Sequence, residues 1–187
     1  MFRKATKEDV DRIAEIYDEI HAENEAGRMT TNWIRGVYPS KETAMSSIEC
    51  QDMFVEEVQG RIVAAARINQ EQVPEYARAD WEHDAGEDQV MVLHTLVVSP
   101  KEAGKGYGTK FVTYYENYAL EHGCPYLRMD TNFYNKGARK LYKKLGYKEI
   151  SVVPCVFNGI PDVQLVCLEK KLTQTTEQQE DNNGNYL

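Results

Sequence analysis

The run VMVLHTLVVSP (90–100) limits this chain more than any other stretch, because it is apolar almost throughout and stops only at Pro100. A strand with one wet face alternates apolar and polar residues, whereas a strand that is apolar throughout is covered on both sides. The run therefore predicts a central strand of a layered domain. Its flanks supply the layers. Thr6 caps a helix with Val10, Ile13, Ile16, Tyr17 and Ile20 on one side, and Ser40 caps a shorter helix reaching about Cys50. A third helix carries Phe111, Tyr115, Tyr118, Ala119 and His122 before Gly123. A fourth, opened by Asn135, carries Ala138, Leu141, Tyr142 and Leu145 before Gly146. Strands are expected at 2–5, 53–58, 61–68 and 125–130, with hairpin turns at Gln59-Gly60 and Asn158-Gly159. The order βαα-ββ-β-α-β-α-ββ reads as one mixed α/β domain spanning residues 1–172.

Composition narrows the function class. The 187 residues, 42% hydrophobic and 28% charged, suffice for one sizeable core. A net charge of −8 argues against nucleic acid, which wants a basic stripe, and is compatible with a cationic small substrate. No run approaches the roughly 20 apolar residues of a membrane span, and the charged start MFRKATKEDV predicts no secretory signal. Cys50, Cys124, Cys155 and Cys167 lie far apart with no CxxC pair, which predicts reduced thiols, a cytoplasmic protein and no metal site. The polar stretch 173–187 predicts a disordered tail.

The central strand runs into AGKGYGTKF (103–111), with glycines at 104, 106 and 108. A Walker A loop needs GxxxxGK followed by Ser or Thr, and a dinucleotide fingerprint needs GxGxxG early in the chain. Neither spacing is present. What remains is a strand, a short loop and a helix N-terminus, where successive backbone N–H groups and the helix dipole suit a pyrophosphate. Lys105 or Lys101 could add a point charge.

The run LHTLVVSPKEAGKGYGTKF followed by NKGARKLYKKLGY resembles the two central motifs of the GNAT superfamily of acyl-CoA-dependent N-acyltransferases. Gly106 and Gly108 match the family's small positions, while Ala103 stands where Gln or Arg is usual. Asn135, Ala138, Tyr142, Gly146 and Tyr147 match the second motif. The resemblance covers residues 2 to about 171 and implies a sheet of about seven strands flanked by about four helices, splayed between strands four and five. It implies acetyl-CoA as cosubstrate, with the main chain of Leu96, Val97 and Val98 along the pantetheine arm. Gly104, Lys105, Gly106, Tyr107, Gly108 and Thr109 would hold the pyrophosphate, and Asn135 would bond the pantetheine.

The implied reaction is attack of a neutral amine on a thioester in a ternary complex. Tyr142 matches the tyrosine that faces the sulfur and would protonate the departing thiolate; by spacing alone it reads as a core aromatic. For the base, His94 has an unperturbed pKa near ~6.5 and reads equally as a core histidine. Glu56, Glu57 and Asp130 are its rivals. Trp33, Tyr38, Tyr76 and Trp81, with Asp130, are the candidates for walling an acceptor site. The expected acceptor is a small primary amine; a protein N-terminus or lysine, or a non-catalytic CoA-binding module, are the alternatives, and a homodimer is left open.

Overall fold

The computed structural model describes residues 1–173, so the tail expected at 173–187 lies, Thr173 aside, outside the described residues. Among the described residues there are seven strands, β1 (Phe2–Lys4), β2 (Met53–Val58), β3 (Arg61–Asn69), β4 (Val90–Val98), β5 (Tyr126–Asn132), β6 (Lys148–Phe157) and β7 (Ile160–Lys171). Four α-helices join them: α1 (Val10–Glu25), α2 (Lys41–Glu49), α3 (Tyr107–Glu121) and α4 (Lys136–Lys144). One sheet holds all seven strands in the order β1-β2-β3-β4-β5-β7-β6. Only β4 and β5 run parallel; the other neighbours are antiparallel.

The sheet buries three clusters of side chains, one of them formed by Val90 and Val92 of β4 with Tyr76 and with Val153, Val163 and Leu165 of β6 and β7. Ile13, Ile16 and Tyr17 of α1 pack with Ala44 and Ile48 of α2 onto Val55, Ala65 and Val97. Phe111, Val112 and Tyr115 of α3, with Tyr142 of α4, pack onto Met91, Leu93, Leu127 and Met129. Both faces of β4 are thus covered, as its unbroken apolar sequence requires. Burial of this kind contributes about 1.5–3 kcal/mol per large apolar side chain relative to exposure. The caps follow the sequence reading. The Ser40 amide donates to Thr43 Oγ1 at 3.0 Å ahead of α2, and Asn135 Oδ1 accepts from the Ala138 amide at 3.2 Å at the start of α4. The β6–β7 hairpin turns on Asn158 and Gly159, whose positive φ values of 50° and 77° are what a two-residue turn of this twist demands.

Two local features shape the middle of the sheet. The first is a bulge. On β3, Ala65 pairs with Val97 and Arg67 with His94, so Thr95 and Leu96 together oppose one residue. Thr95 takes the extra step with a φ of 52°. One added residue reverses the alternation of faces. Met91 and Leu93 lie towards α3 before the bulge, and Leu96 and Val98 lie towards it afterwards. The second is an opening. β4 and β5 pair only from Val90↔Tyr126 to Leu93↔Met129. Beyond that point Asp130, Thr131 and Asn132 pair with β7 alone, and residues 94–98 of β4 keep only their β3 partners. The splay expected between strands four and five is present.

Candidate active site

The opening forms one side of a cavity of about 480 Å³, walled by Leu96, Val97 and Val98 on β4 and by Asp130, Thr131 and Asn132 on β5. Backbone groups on the facing edges of these segments have no β4–β5 ladder partner, which suits them to an extended polar chain. The three β4 residues also pack against the two cores, so binding by backbone and packing by side chain occur together.

Gly108 of α3, with Asn135, Ala138, Leu141 and Tyr142 of α4, closes the far side of the cavity. Gly108 allows a close approach, since a Cβ there would meet Leu141 Cδ2 at 3.2 Å. Gly104, Lys105, Gly106, Tyr107 and Thr109 do not line this cavity; they form the loop and first turn beside it. Gly104 and Gly106 have φ of 78° and 80°, a conformation that L side chains rarely adopt, and it is this turn that starts α3. Lys105 Nζ meets Glu102 at 2.6 Å, and Lys101 Nζ meets Glu19 at 2.7 Å. Both lysines are exposed, and pairs of that kind are worth under about 1 kcal/mol, so either can turn to an anion.

Tyr142 is 7% exposed and lines the cavity. Burial, with the nearby Asp130 carboxylate, pushes its hydroxyl well above the ordinary tyrosine range, so it stays protonated. Asn135 commits its carbonyl oxygen to the α4 cap, and its amide nitrogen is the group it can offer a ligand.

Loop 28–39 closes the cavity from above. Thr30 Oγ1 donates to the Tyr134 carbonyl at 2.7 Å, tying this loop to the segment between β5 and α4. His21 Nε2 meets the Pro39 carbonyl at 2.9 Å at the loop's other end. Trp33 and Tyr38 line the cavity from this loop, as the sequence suggested. Tyr76 and Trp81 do not line it. Tyr76 is 3% exposed and donates to Asp130 Oδ2 at 2.8 Å. Trp81 stacks edge-on against Tyr76 with centroids 5.0 Å apart, and the Arg128 guanidinium lies 4.1 Å from its own ring centroid. Trp81 therefore buttresses Tyr76, which in turn holds Asp130.

A second cavity of about 170 Å³ lies on the α1 and α2 side of the sheet. It shares Tyr38, Thr95, Asp130, Phe157 and Asn158 with the first, so the two are neighbours across the bulge. The Tyr38 hydroxyl is hydrogen-bonded to Thr95 Oγ1 at this junction. Asp130 has a surface open to both cavities, yet protein surrounds it closely enough for burial to push its carboxyl up to about 7, against the Tyr76 hydrogen bond.

His94 opens on the smaller cavity, not the larger. It does not titrate near neutrality as the sequence suggested: burial, then the Arg67 charge, push its imidazole down to about 4. Asn69 Oδ1 already accepts from the Glu71 amide at 3.1 Å, which identifies it as the oxygen. Its 2.9 Å contact with His94 Nε2 is then a donation from a neutral imidazole. Glu56 and Glu57 line neither cavity. Glu57 pairs with Arg3 at 2.9 Å, and burial raises the Glu56 carboxyl, opposed by the charges of Lys110 and the N-terminus. Of the candidate bases, Asp130 alone faces both cavities. Glu82, His83 and Glu169 bring ligand-type atoms within 4.8 Å of one another elsewhere. Glu169 is held there by Arg128 at 3.1 Å and Glu82 by Lys148 at 2.8 Å, so the group is an ion-pair network.

Comparison with known proteins agrees with this architecture. The model of the acetyltransferase (GNAT) family matches residues 12–147. The chain belongs to that family. It is 26% identical over 152 residues to an uncharacterized N-acetyltransferase of Methanocaldococcus jannaschii, a match that covers 81% of this chain and 62% of the relative. The chain thus spans less than two thirds of that relative's length. Among solved structures it shares its fold with a GNAT-family acetyltransferase from Streptococcus agalactiae, with a TM-score of 0.78 at 20% identity over 93% of this chain and 96% of that one. It also shares it with the Salmonella typhimurium protein YncA, solved with its cofactor acetyl-CoA, with a TM-score of 0.65 at 20% identity over 93% and 94% of the two chains.

Proposed function

We propose that this protein is an acetyl-CoA-dependent N-acetyltransferase that acts on the primary amine of a small molecule in a ternary complex. The observation that carries the reading is the opening of the β4–β5 pair beneath Tyr142, bordered at the bulge by a second cavity, with Asp130 lining both. Membership of the acetyltransferase family, and a structural neighbour solved with acetyl-CoA, support the same reading.

The residues present fit acetyl-CoA. The backbone of residues 95–98, which has no β5 partner, suits a pantetheine arm, and the Gly104–Thr109 turn at the α3 N-terminus suits its pyrophosphate. When bound, acetyl-CoA supplies a thioester carbonyl as the electrophile. Tyr142 Oη keeps its proton through alkaline pH and can deliver it to a departing thiolate. Asp130, raised to about 7, is ionised above that pH and takes the proton from an arriving ammonium group. His94, already neutral far below pH 7, is the weaker base.

A small acceptor is favoured over a peptide because loop 28–39 and the Asn158 turn enclose the acceptor side. The deciding experiment measures thiol release from acetyl-CoA with a panel of small primary amines and with peptides bearing a free N-terminus or lysine. Turnover confined to peptides would shift the reading to protein acetylation. Acetyl-CoA binding without turnover on any acceptor would leave a CoA-binding module.

A further inference from the structure

The smaller cavity is lined by residues with buried polar atoms that the reaction does not use. Tyr17, on α1, is 1% exposed, lines this cavity, and its hydroxyl has no hydrogen-bond partner among the described residues. Arg67, on β3, lines the same cavity, and its buried Nε likewise has no partner there. A buried polar group without a partner costs about 1–3 kcal/mol. Two such groups in one cavity that also opens onto Asp130 point to a ligand that satisfies them.

We propose that this cavity is the acceptor pocket and that it selects a short aliphatic amine carrying a neutral oxygen function, a hydroxyl or carboxamide, at its far end. The amine lies at Asp130, and the oxygen lies between Arg67 Nε and the Tyr17 hydroxyl. The proposal rests on the acetyltransferase reading and adds the acceptor's chemical class.

Charge decides for a neutral oxygen. The Arg67 guanidinium is already engaged by Glu71 through Nη2 and has Asp52 at 3.5 Å. Asp52 also accepts from Asn69 at 2.8 Å. His94 beside it is uncharged at neutral pH. A carboxylate on the acceptor would be a third anion around one guanidinium, with Asp130 nearby as a fourth. A neutral oxygen accepts from Nε without that repulsion, and Tyr17 can donate to the same atom. Size agrees. A cavity of about 170 Å³ holds the volume of about six waters at ~30 Å³ each, enough for an acceptor of that order in non-hydrogen atoms. Tyr38 lines this cavity together with Asp130 and Arg67, its hydroxyl held by Thr95 Oγ1.

The test uses three amines of similar size in the thiol-release assay: propanolamine, butylamine and β-alanine. Because butylamine leaves Tyr17 and Arg67 unpaired, kcat/KM for propanolamine should exceed that for butylamine by about tenfold or more. β-Alanine should be the poorest of the three. In Tyr17→Phe and in Arg67→Lys, which keeps the charge but lacks Nε, the propanolamine-to-butylamine ratio should fall towards unity. Thermal melts would show that both variants are folded. Equal rates for propanolamine and butylamine, a preference for β-alanine, or a ratio unchanged in both variants would each overturn the proposal. So would acetyl-CoA binding with turnover confined to other acceptors. Failure to bind acetyl-CoA at all would instead overturn the acetyltransferase reading beneath it.

Discussion

Replacing Asp130 by Asn isolates the most perturbed carboxyl in the site. Burial raises Asp130 from its ordinary 3.8 to about 7, so the folded state disfavours its charged form. Between those two values the unfolded chain has released the proton while the folded chain still holds it. Folding stability in the parent therefore falls as pH rises through that window and is level again above it, as far as this group is concerned. Each pH unit of separation is worth about 1.4 kcal/mol, so the ionised carboxylate costs at most about 4 kcal/mol at pH 8. Asn keeps the shape and can still accept the Tyr76 hydroxyl, but it never ionises. Urea denaturation of parent and variant from about pH 4 to about pH 8 gives a difference curve in which other titrating groups cancel. That curve should rise in favour of the variant across the window, by up to about 4 kcal/mol. Parallel curves would mean that Asp130 titrates normally and is not enclosed as described. The same variant should lose the rise of rate with pH near neutrality, since the group that takes the proton is gone.

The other expectations concern the remaining parts of the site. Tyr142→Phe should lower turnover by about 10²-fold with acetyl-CoA affinity kept, measured by thiol release and calorimetry; parental turnover would make the ring a core aromatic only. Gly106→Asp should weaken CoA binding while the protein still folds, because it sets a carboxylate at the α3 N-terminus and forces a side chain into a φ of 80°; unchanged affinity would place the pyrophosphate elsewhere. His94→Gln should preserve the pH dependence between about pH 6 and 8, because His94 titrates near 4; a flattened profile would restore the histidine as base.

The sequence was most informative where a local rule leaves one solution. The apolar run at 90–98 had to be a covered strand, and Asn158-Gly159 had to be a tight hairpin; both are so in the structure. Caps at Ser40 and Asn135 were legible for the same reason, since orphan amides at a helix start favour those side chains. The bulge was not legible. Nothing in HTLVV marks Thr95 as the residue that takes a positive φ, because its cause is the tertiary mismatch between β3 and β4. The depression of His94 was hidden for a related reason, as it depends on Arg67 one strand away and on burial that pattern alone does not quantify. Tyr17 read as one more apolar position on α1, and only its unpartnered hydroxyl beside a cavity sets it apart.

The extra residue at Thr95 has a consequence for how such a protein can change. His94 opens on the smaller cavity and Leu96 on the larger, so residues two apart in one strand face different cavities. The smaller cavity also draws on Tyr17, Arg67 and the α2 hydroxyls of Thr43 and Ser47, none of which lines the larger one. Substitutions among these residues can reshape the smaller cavity while the β4 segment that walls the larger one stays as it is. Deleting Thr95 would remove the bulge itself: Leu96 would oppose Ala66 in a regular ladder, and Leu96, Val97 and Val98 would keep their present faces while the junction between the two cavities changed.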